Sequence, residues 1–168
     1  FYNKTNIPIE IHPDGRSKSL GEINNPKDLT FRMSICGPEA KNGTSIFHWF
    51  MKQKKSITGY TNVMWNGITT LELAKAMDAA IDQNLGGLYH LVNNTKISKY
   101  DLLLLFKKYF EKEIDIVPGL GAASDKCLFN NRTDFNFTVN QYETMIAELK
   151  TWVDGSKKYP HYSKSPNS

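Results

Sequence analysis

Short apolar runs alternate with amphipathic helical patterns along this chain, and this alternation restricts its fold more than any other feature. The clearest helix lies at residues 69–81, where apolar side chains recur at helical spacing and Thr69 and Glu72 form a capping-box pattern. A glycine pair ends this helix, and the apolar run at residues 88–92 predicts a strand. Helices that alternate with apolar strands are typical of α/β proteins, so an α/β fold is expected.

The same periodicity places the other elements. Further helices are predicted at residues 17–23, 45–54, 98–110 and 140–153, and further strands at residues 29–36 and 114–117. Ser98 with Asp101, and Asn140 with Glu143, are predicted to cap the last two helices. The chain has no internal repeat and no linker long enough to divide it, so a single folded unit is expected.

Composition and charge argue against several classes of function. The chain has 168 residues and a formal net charge of only +4, with scattered lysines, so nucleic-acid binding is not expected. No apolar run approaches membrane-spanning length, and a cytoplasmic protein is the expectation. Cys36 and Cys127 lie far apart in sequence and are expected to be reduced, while the histidines lack the spacing of metal ligands, so no metal site is expected.

Seven blocks along the sequence resemble one family of enzymes. The first, Asp14-Gly15-Arg16-Ser17-Lys18, stands where that family has Tyr-Gly-Arg-Ser-Lys. The others follow in the family's order at residues 29–38, 47–50, 59–70, 87–91, 97–103 and 125–132. The chain thus resembles the C-terminal, substrate-side part of extended short-chain dehydrogenases/reductases, and is most similar to their dTDP-4-dehydrorhamnose reductase-like branch, which acts on sugar nucleotides.

The resemblance implies a nicotinamide site with one altered residue. In the family, a tyrosine hydroxyl donates a proton, and a lysine four residues later lowers its pKa and holds the nicotinamide ribose. Lys18 stands at the lysine position, but Asp14 stands at the tyrosine position, where an ionised carboxylate is not expected to act as that acid. An ordinary helix N-cap is the alternative role for Asp14. The resemblance also places Ser34 and Gly37 at the cofactor.

The glycine-rich turn that seats a dinucleotide is not found in the sequence. The expected fold is therefore a partial doubly wound, Rossmann-like parallel sheet with a small substrate-binding subdomain, without the N-terminal dinucleotide-binding half. NAD or NADP is expected in the complete enzyme but not on this chain alone. Residues 1–155 are expected to form the sugar-nucleotide-binding part, and residues 156–168 a polar, frayed tail.

A missing half would also uncover apolar surface. Leu20, Ile23 and the apolar face of the helix predicted at residues 45–54 are expected to lose their cover. The chain is therefore expected to be marginally stable, to form a homo-oligomer, or to associate with a complementary N-terminal half.

The predicted ligands of a nucleotide-diphosphate sugar share two polar segments. The first segment supplies Tyr60, Asn62, Trp65 and Asn66, and the second supplies Lys126, Asn131 and Arg132. Aromatic rings and amides suit a base, while lysine and arginine suit a diphosphate. Two functions stay open. The first is the substrate-binding part of an NAD(P)-dependent oxidoreductase acting on nucleotide-linked sugars, as in polysaccharide biosynthesis. The second is a non-catalytic sugar-nucleotide-binding or regulatory module.

Four side chains have competing interpretations. Trp49 and Phe50 share the phase of a helix and are expected in the core rather than at a ligand. Trp65 precedes a turn signal and is open to either role. Arg32 lies inside a predicted strand, where it serves equally well as an ion-pair partner or a phosphate ligand.

Overall fold

A computed structural model of the chain describes residues 13–23, 25–40, 43–156, 158–159 and 162, with side chains from residue 17 onward. In this part of the chain the helices are α1 (Pro13–Leu20), α2 (Ile46–Lys52), α3 (Thr70–Asp82), α4 (Lys99–Tyr109) and α5 (Tyr142–Gly155). The strands are β1 (Leu29–Arg32), β2 (Ile35–Cys36), β3 (Ile57–Tyr60), β4 (Val63–Trp65), β5 (Ile68–Thr69), β6 (Gly87–His90), β7 (Ile97–Ser98), β8 (Ile116–Gly119) and β9 (Ser124–Asp125).

The strands pair mainly in parallel. β1 runs parallel to β6, with Leu29 opposite Gly87 and Arg32 opposite His90. β2 pairs in parallel with β5, and β3 with β8. β4 lies between β7, which is antiparallel, and β9, which is parallel. Since parallel neighbours need long crossover connections, this pairing confirms the predicted α/β class with a partial Rossmann-like parallel arrangement.

One hydrophobic cluster lies between α2, α4 and α5. Phe47 and Phe50 of α2 are fully buried, and the ring of Phe47 packs edge-on against Phe106 at 5.3 Å and Phe110 at 4.7 Å between centroids. The expectation that this helix loses its cover is therefore wrong, because α4 supplies it. Leu20, the last residue of α1, is 87% exposed, and Ile23, which follows the helix, is 52% exposed, so the expectation of uncovered apolar surface holds for these two residues. Trp49 on α2 is 42% exposed, so the expectation that it lies in the core is wrong, because α2 buries the face that carries Phe47 and Phe50.

A second hydrophobic cluster joins α3, α5 and β5 through Ile68, Ala76 and Met145. Trp65 is half-buried and packs against both clusters. The end of β4 is therefore anchored in the core.

The tail contributes to the first cluster. Tyr162 is buried, its ring lies 5.2 Å from that of Phe47, and its hydroxyl contacts the ring nitrogen Nδ1 of His48. Tyr159 packs on Trp152 of α5 at 5.4 Å between ring centroids. A frayed tail was the expectation, and it does not hold at these two tyrosines, because their rings cover apolar surface of α2 and α5. The boundary after residue 155 and the role of residues 1–155 stay predictions.

The predicted helix starts have mixed outcomes. Thr69 Oγ1 accepts a hydrogen bond from the Glu72 backbone N–H at 3.2 Å, and Ser98 Oγ accepts one from Asp101 at 3.0 Å, so both caps are confirmed. The buried Glu72 carboxylate instead accepts bonds from Asn140, from its backbone N–H at 2.8 Å and from its side chain at 3.3 Å. Because Asn140 is held there, its predicted capping of α5 is wrong, and Gln141 occupies that N-cap without a side-chain hydrogen bond.

Two strand predictions also differ from the structure. The strand expected at residues 29–36 is divided into β1 and β2 by Met33 and Ser34. Residues 57–69 form β3, β4 and β5, which periodicity did not predict because each has only two to four residues. These short strands hold the first predicted ligand segment.

Candidate functional site

Two segments of the chain meet at the candidate site. We call residues 60–67 the aromatic turn and residues 121–132 the late loop. Asn62 joins them, since its side-chain amide donates to the carbonyl of Gly121 at 2.8 Å and its carbonyl oxygen accepts from the Gly121 N–H at 2.9 Å. A Cβ on Gly121 would lie 3.0 Å from the ring of Tyr60, so a glycine allows this approach.

Asn66 makes a second connection between the same segments. Its Nδ2 donates to the carbonyls of Leu128 at 2.6 Å and Asn93 at 3.0 Å, and its Oδ1 accepts from the Leu128 N–H at 3.3 Å. The Asn66 side chain is buried, and its carbonyl also accepts from the Asn93 N–H at 2.9 Å. Its amide therefore positions the late loop and has little capacity left for a ligand.

Trp65 is held from both sides. Its indole N–H donates to the Ser34 hydroxyl at 2.8 Å, and its ring lies 6.0 Å from that of Tyr142, centroid to centroid. A Cβ on Gly67 would lie 2.1 Å from the Ser34 carbonyl and 2.3 Å from the Trp65 ring. Only glycine fits between them. Trp65 thus has a structural role, whatever further contact its exposed edge makes.

Arg132 lies on the face of an aromatic ring. Its guanidinium is 4.2 Å from the ring centroid of Tyr89, and one nitrogen donates to the Tyr89 hydroxyl at 2.8 Å. Arg132 also forms a two-point ion pair with Asp134, at 2.8 and 2.5 Å. The hydrogen bonds from Arg132 hold the pKa of the Asp134 carboxyl well below its ordinary value. Asp134 therefore orients Arg132 and also competes with any anion that approaches it.

Tyr89 and Asp134 are residues that the sequence did not single out. The Tyr89 hydroxyl donates to Asp134 Oδ2 at 3.0 Å. Burial, and then the hydrogen bond to Asp134, raise the pKa of Tyr89 above its ordinary value. The sequence signal that could have found Asp134 is its short spacing from Arg132.

The remaining predicted ligands lie on the same loop. Lys126 follows β9, and Asn131 precedes Arg132; the side chains of all three are exposed. Tyr60, at the end of β3, is 43% exposed. The seven predicted ligands therefore lie on two segments that are joined through Asn62 and Asn66. Asn62, Trp65 and Asn66 use their side-chain polar atoms within the protein.

A polar cavity of about 220 Å³ adjoins the Tyr89 side of the late loop. It opens at the carboxyl end of β6, where Asn93, Thr95 and Asn130 line it together with the edge of Tyr89. The carboxyl ends of parallel strands are where ligands bind in open α/β sheets.

The residues predicted at the cofactor do not form one described group. Lys18 lies on α1 with its side chain exposed, and Asp14 lies on the same helix, in the part whose side chains are outside the described residues. Ser34 is exposed and accepts from Trp65, so it faces the aromatic turn. Gly37 is buried, and a Cβ there would lie 2.2 Å from Thr70 Oγ1, so its backbone packs against the start of α3. Their cofactor roles stay predictions.

The sequence left two roles open for Arg32, and the structure shows it as an ion-pair partner. It pairs with Glu22 at 2.5 and 2.6 Å, and both side chains are nearly buried. Arg32 also approaches His90 on β6 at 3.4 Å. The pair joins the segment after α1 to the parallel strands β1 and β6.

The described part of the chain contains no group of three or more histidine, cysteine or acidic side chains placed to hold a metal ion. Within that part, every helix is too short or too polar to cross a membrane. Cys36 and Cys127 are free thiols.

Comparison with solved structures shows the class of fold. The chain matches dTDP-4-dehydrorhamnose reductase from Bacillus anthracis str. Ames, in complex with NADP, with a TM-score of 0.67 and 18% identity, over 90% of this chain and 58% of that one. The same enzyme from Yersinia enterocolitica matches with a TM-score of 0.63 and 19% identity, over 89% and 60% of the two chains. A dTDP-glucose 4,6-dehydratase from Bacillus anthracis str. Ames, in complex with NAD, matches with a TM-score of 0.55 and 13% identity, over 79% and 47%.

These likenesses show a partial Rossmann-like fold, shared with dTDP-4-dehydrorhamnose reductases and related sugar-nucleotide enzymes. The chain spans about 58% and 60% of the two reductases, so the activity of a whole enzyme does not follow from the match. No protein-family profile matches the sequence. No curated protein sequence matches it either.

Proposed function

We propose that this chain is the substrate-binding portion of an NAD(P)-dependent oxidoreductase that acts on nucleotide-linked sugars. The observation that carries the proposal is the double connection between the aromatic turn and the late loop, through Asn62 with Gly121 and Asn66 with Leu128. These bonds place the aromatic ring of Tyr60 and the cations Lys126 and Arg132 on adjoining segments. Such a set of groups is complementary to a base and a diphosphate.

The polar cavity beside Tyr89 supports the same proposal. Its lining hydroxyl of Thr95 and amide of Asn130 suit hydrogen bonding to sugar hydroxyls, while the amide of Asn93 is used within the protein. Two structures of similar fold are named dTDP-4-dehydrorhamnose reductases, and the one from Bacillus anthracis is in complex with NADP. The nucleotide, the sugar and the cofactor of this chain are proposals on that basis.

Hydride chemistry is separable from sugar-nucleotide binding. Lys18 is proposed to hold the nicotinamide ribose in a complete enzyme, with Asp14 at the place of the proton donor. In such an enzyme, Asp14→Tyr would raise turnover by about 100- to 10,000-fold, the usual size of a general-acid contribution. A non-catalytic sugar-nucleotide-binding module is the second candidate, favoured by the aspartate at position 14.

Isothermal titration of the whole chain with dTDP-glucose and UDP-glucose tests the binding function that both candidates share. Heat is expected with at least one of them, and Lys126→Met should weaken that binding. Lys108→Met, an exposed lysine on α4, is the matched control and should leave it unchanged. Titration without heat for either sugar nucleotide would refute both candidates. Size-exclusion chromatography in the same buffers would show whether the exposed Leu20 and Ile23 lead to self-association.

A further inference from the structure

His90, the last residue of β6, connects the parallel strands to the late loop. Its ring nitrogen Nδ1 lies 2.8 Å from the backbone carbonyl of Phe129, and its Nε2 lies 3.4 Å from a guanidinium nitrogen of Arg32. Only 6% of His90 is exposed, so water has little access to either contact. These two neighbours decide where the ring carries its proton.

The chemistry of the neighbours allows one form of the imidazole. A backbone carbonyl only accepts hydrogen bonds and a guanidinium only donates them, so Nδ1 carries the proton and Nε2 accepts from Arg32. A second proton, on Nε2, would face the guanidinium, and two cations at this distance repel each other. Glu22 offsets only part of this repulsion, because both of its carboxylate oxygens bind Arg32, at 2.5 and 2.6 Å.

Burial and charge act on His90 in the same direction. Burial has the largest effect and lowers the pKa of His90 from the ordinary value of 6.5, and the positive charge of Arg32 on β1 lowers this pKa further. The hydrogen bond to Phe129 and the carboxylate of Glu22, in the segment after α1, oppose the change without reversing it. The ring is therefore neutral at neutral pH.

The carbonyl of Phe129 is the point at which β6 holds the ligand-bearing end of the late loop. Phe129 directly precedes Asn130, which lines the polar cavity and accepts a hydrogen bond from the Arg132 backbone N–H at 3.0 Å. The anchor from the aromatic turn lies one residue earlier, at Leu128. The bond from His90 is thus a second anchor of the loop, placed immediately before its predicted ligands.

We propose that His90 positions the late loop as a neutral imidazole with its proton on Nδ1, and that a second proton on the ring displaces the loop and weakens the binding of a sugar nucleotide. Protonation sets the ring against Arg32, whose ion pair with Glu22 is nearly buried and costly to break. The ring moves instead, and the Phe129 carbonyl loses its donor. The effect on binding rests on the proposed function, whereas the effect on the loop does not.

Nuclear magnetic resonance of the isotope-labelled, ligand-free chain tests the effect on the loop. The neutral ring of His90 should carry its proton on Nδ1, and the backbone amides of residues 129–132 should shift together with the ring as the pH falls from about 8 to about 5. Their common midpoint should lie below 6.5. A proton on Nε2 in the neutral form, a ring that stays neutral throughout, or a ring that titrates while these amides stay unchanged would each overturn the inference.

The same substitution at two histidines separates this ring from other effects of pH. His90→Asn keeps an N–H donor for the Phe129 carbonyl and cannot take up a proton, so the amides of residues 129–132 should lose their pH-dependent shift. His48→Asn is the control, since His48 lies on α2 and contacts Tyr162, and the shift should remain. Retention of the shift in His90→Asn, or its loss in His48→Asn, would contradict the role given to His90. If His90→Asn does not fold, the ring and loop titration of the unaltered chain decides.

Calorimetric titration with dTDP-glucose at about pH 7.5 and about pH 5 tests the effect on binding. The diphosphate of this probe is esterified at both ends and keeps its charge over this range, so a change in affinity comes from the protein. The unaltered chain should bind at least about fivefold more weakly at the acid pH, and His90→Asn should bind with nearly equal affinity at both. Equal affinities of the unaltered chain would overturn the inference. Binding at neither pH would refute the proposed function instead, and the loop titration would then decide the role of His90.

Discussion

Asn66 and Leu128 lie 62 residues apart in sequence, and the side-chain amide of Asn66 forms two hydrogen bonds with the backbone of Leu128. Asn66 is 6% exposed, so water cannot readily replace these bonds. The aromatic turn and the late loop are consequently held as one unit, with Gly121 of the late loop against the ring of Tyr60.

Replacement of this amide tests the connection. Asn66→Ala leaves backbone groups of Leu128 and Asn93 without their partner, and we expect the free energy of unfolding to fall by about 2–3 kcal/mol. Urea unfolding measures it. Asn131→Ala is the control, since Asn131 is exposed on the same loop and its replacement should change stability by no more than about 0.5 kcal/mol. Similar stabilities of the two variants would contradict the role given to Asn66.

The glycine between Ser34 and Trp65 should not tolerate a methyl group. Gly67→Ala would place a Cβ 2.1 Å from the backbone carbonyl of Ser34, so we expect a loss of about 2 kcal/mol or more. Gly155→Ala is the counterpart, because its Cβ would meet nothing within 4 Å and should stabilise the chain by about 0.5 kcal/mol. Thermal unfolding of both variants gives the comparison, and a Gly67→Ala protein as stable as the parent would show that the turn is not held as described.

Arg132 and Asp134 form an ion pair, and replacing one or the other should change the affinity for dTDP in opposite directions. Asp134→Asn removes the competing carboxylate, so affinity for dTDP should rise by about two- to fivefold, the usual size of an exposed ion pair. Arg132→Met should lower it. Isothermal titration at low and high salt measures both changes. A fall in affinity with Asp134→Asn would mean that Asp134 serves mainly to orient Arg132.

The secondary structure with strong local signals was predictable from sequence. Thr69 and Ser98 mark the starts of α3 and α4 because a capping hydroxyl acts within one helical turn. Asn140 was predicted as a cap in error, because the buried Glu72 carboxylate, distant in sequence, binds it instead. Asn140 has the same kind of capping pattern as Thr69 and Ser98. Its contact with Glu72, far away in sequence, keeps it from capping α5.

The sequence predicted which residues form the candidate site, but it did not predict the role of each residue. Residue types located the aromatic turn and the late loop, and the structure places them side by side. It also shows that Asn66 and Trp65 use their polar atoms within the protein, which no pattern could show because their partners Leu128 and Ser34 are set by the fold.

Lys99, the first residue of α4, is half-buried and should reduce the stability of the folded chain. Burial lowers its pKa from the ordinary value of 10.5, so between the lowered and ordinary pKa values the folded chain binds fewer protons than the unfolded chain. Stability therefore rises with pH through that window, and the cost of the charge is fully present below it. Lys99→Met removes this cost, so it should raise the melting temperature, with a larger gain near pH 7 than near pH 10. Differential scanning calorimetry measures both, with Lys108→Met as the control.

A lower melting temperature for Lys99→Met at about pH 7 would show that Lys99 makes a stabilising contact in the free protein.

Amide chemical-shift mapping of the labelled chain with a dTDP-linked sugar tests most directly whether the aromatic turn and the late loop bind a nucleotide-sugar. We predict saturable shifts of backbone amides at residues 60–67 and 121–132, with much smaller changes on the exposed face of α5 around Thr151. Absence of saturable shifts, or shifts confined to residues outside these two segments, would contradict a nucleotide-sugar site at this place.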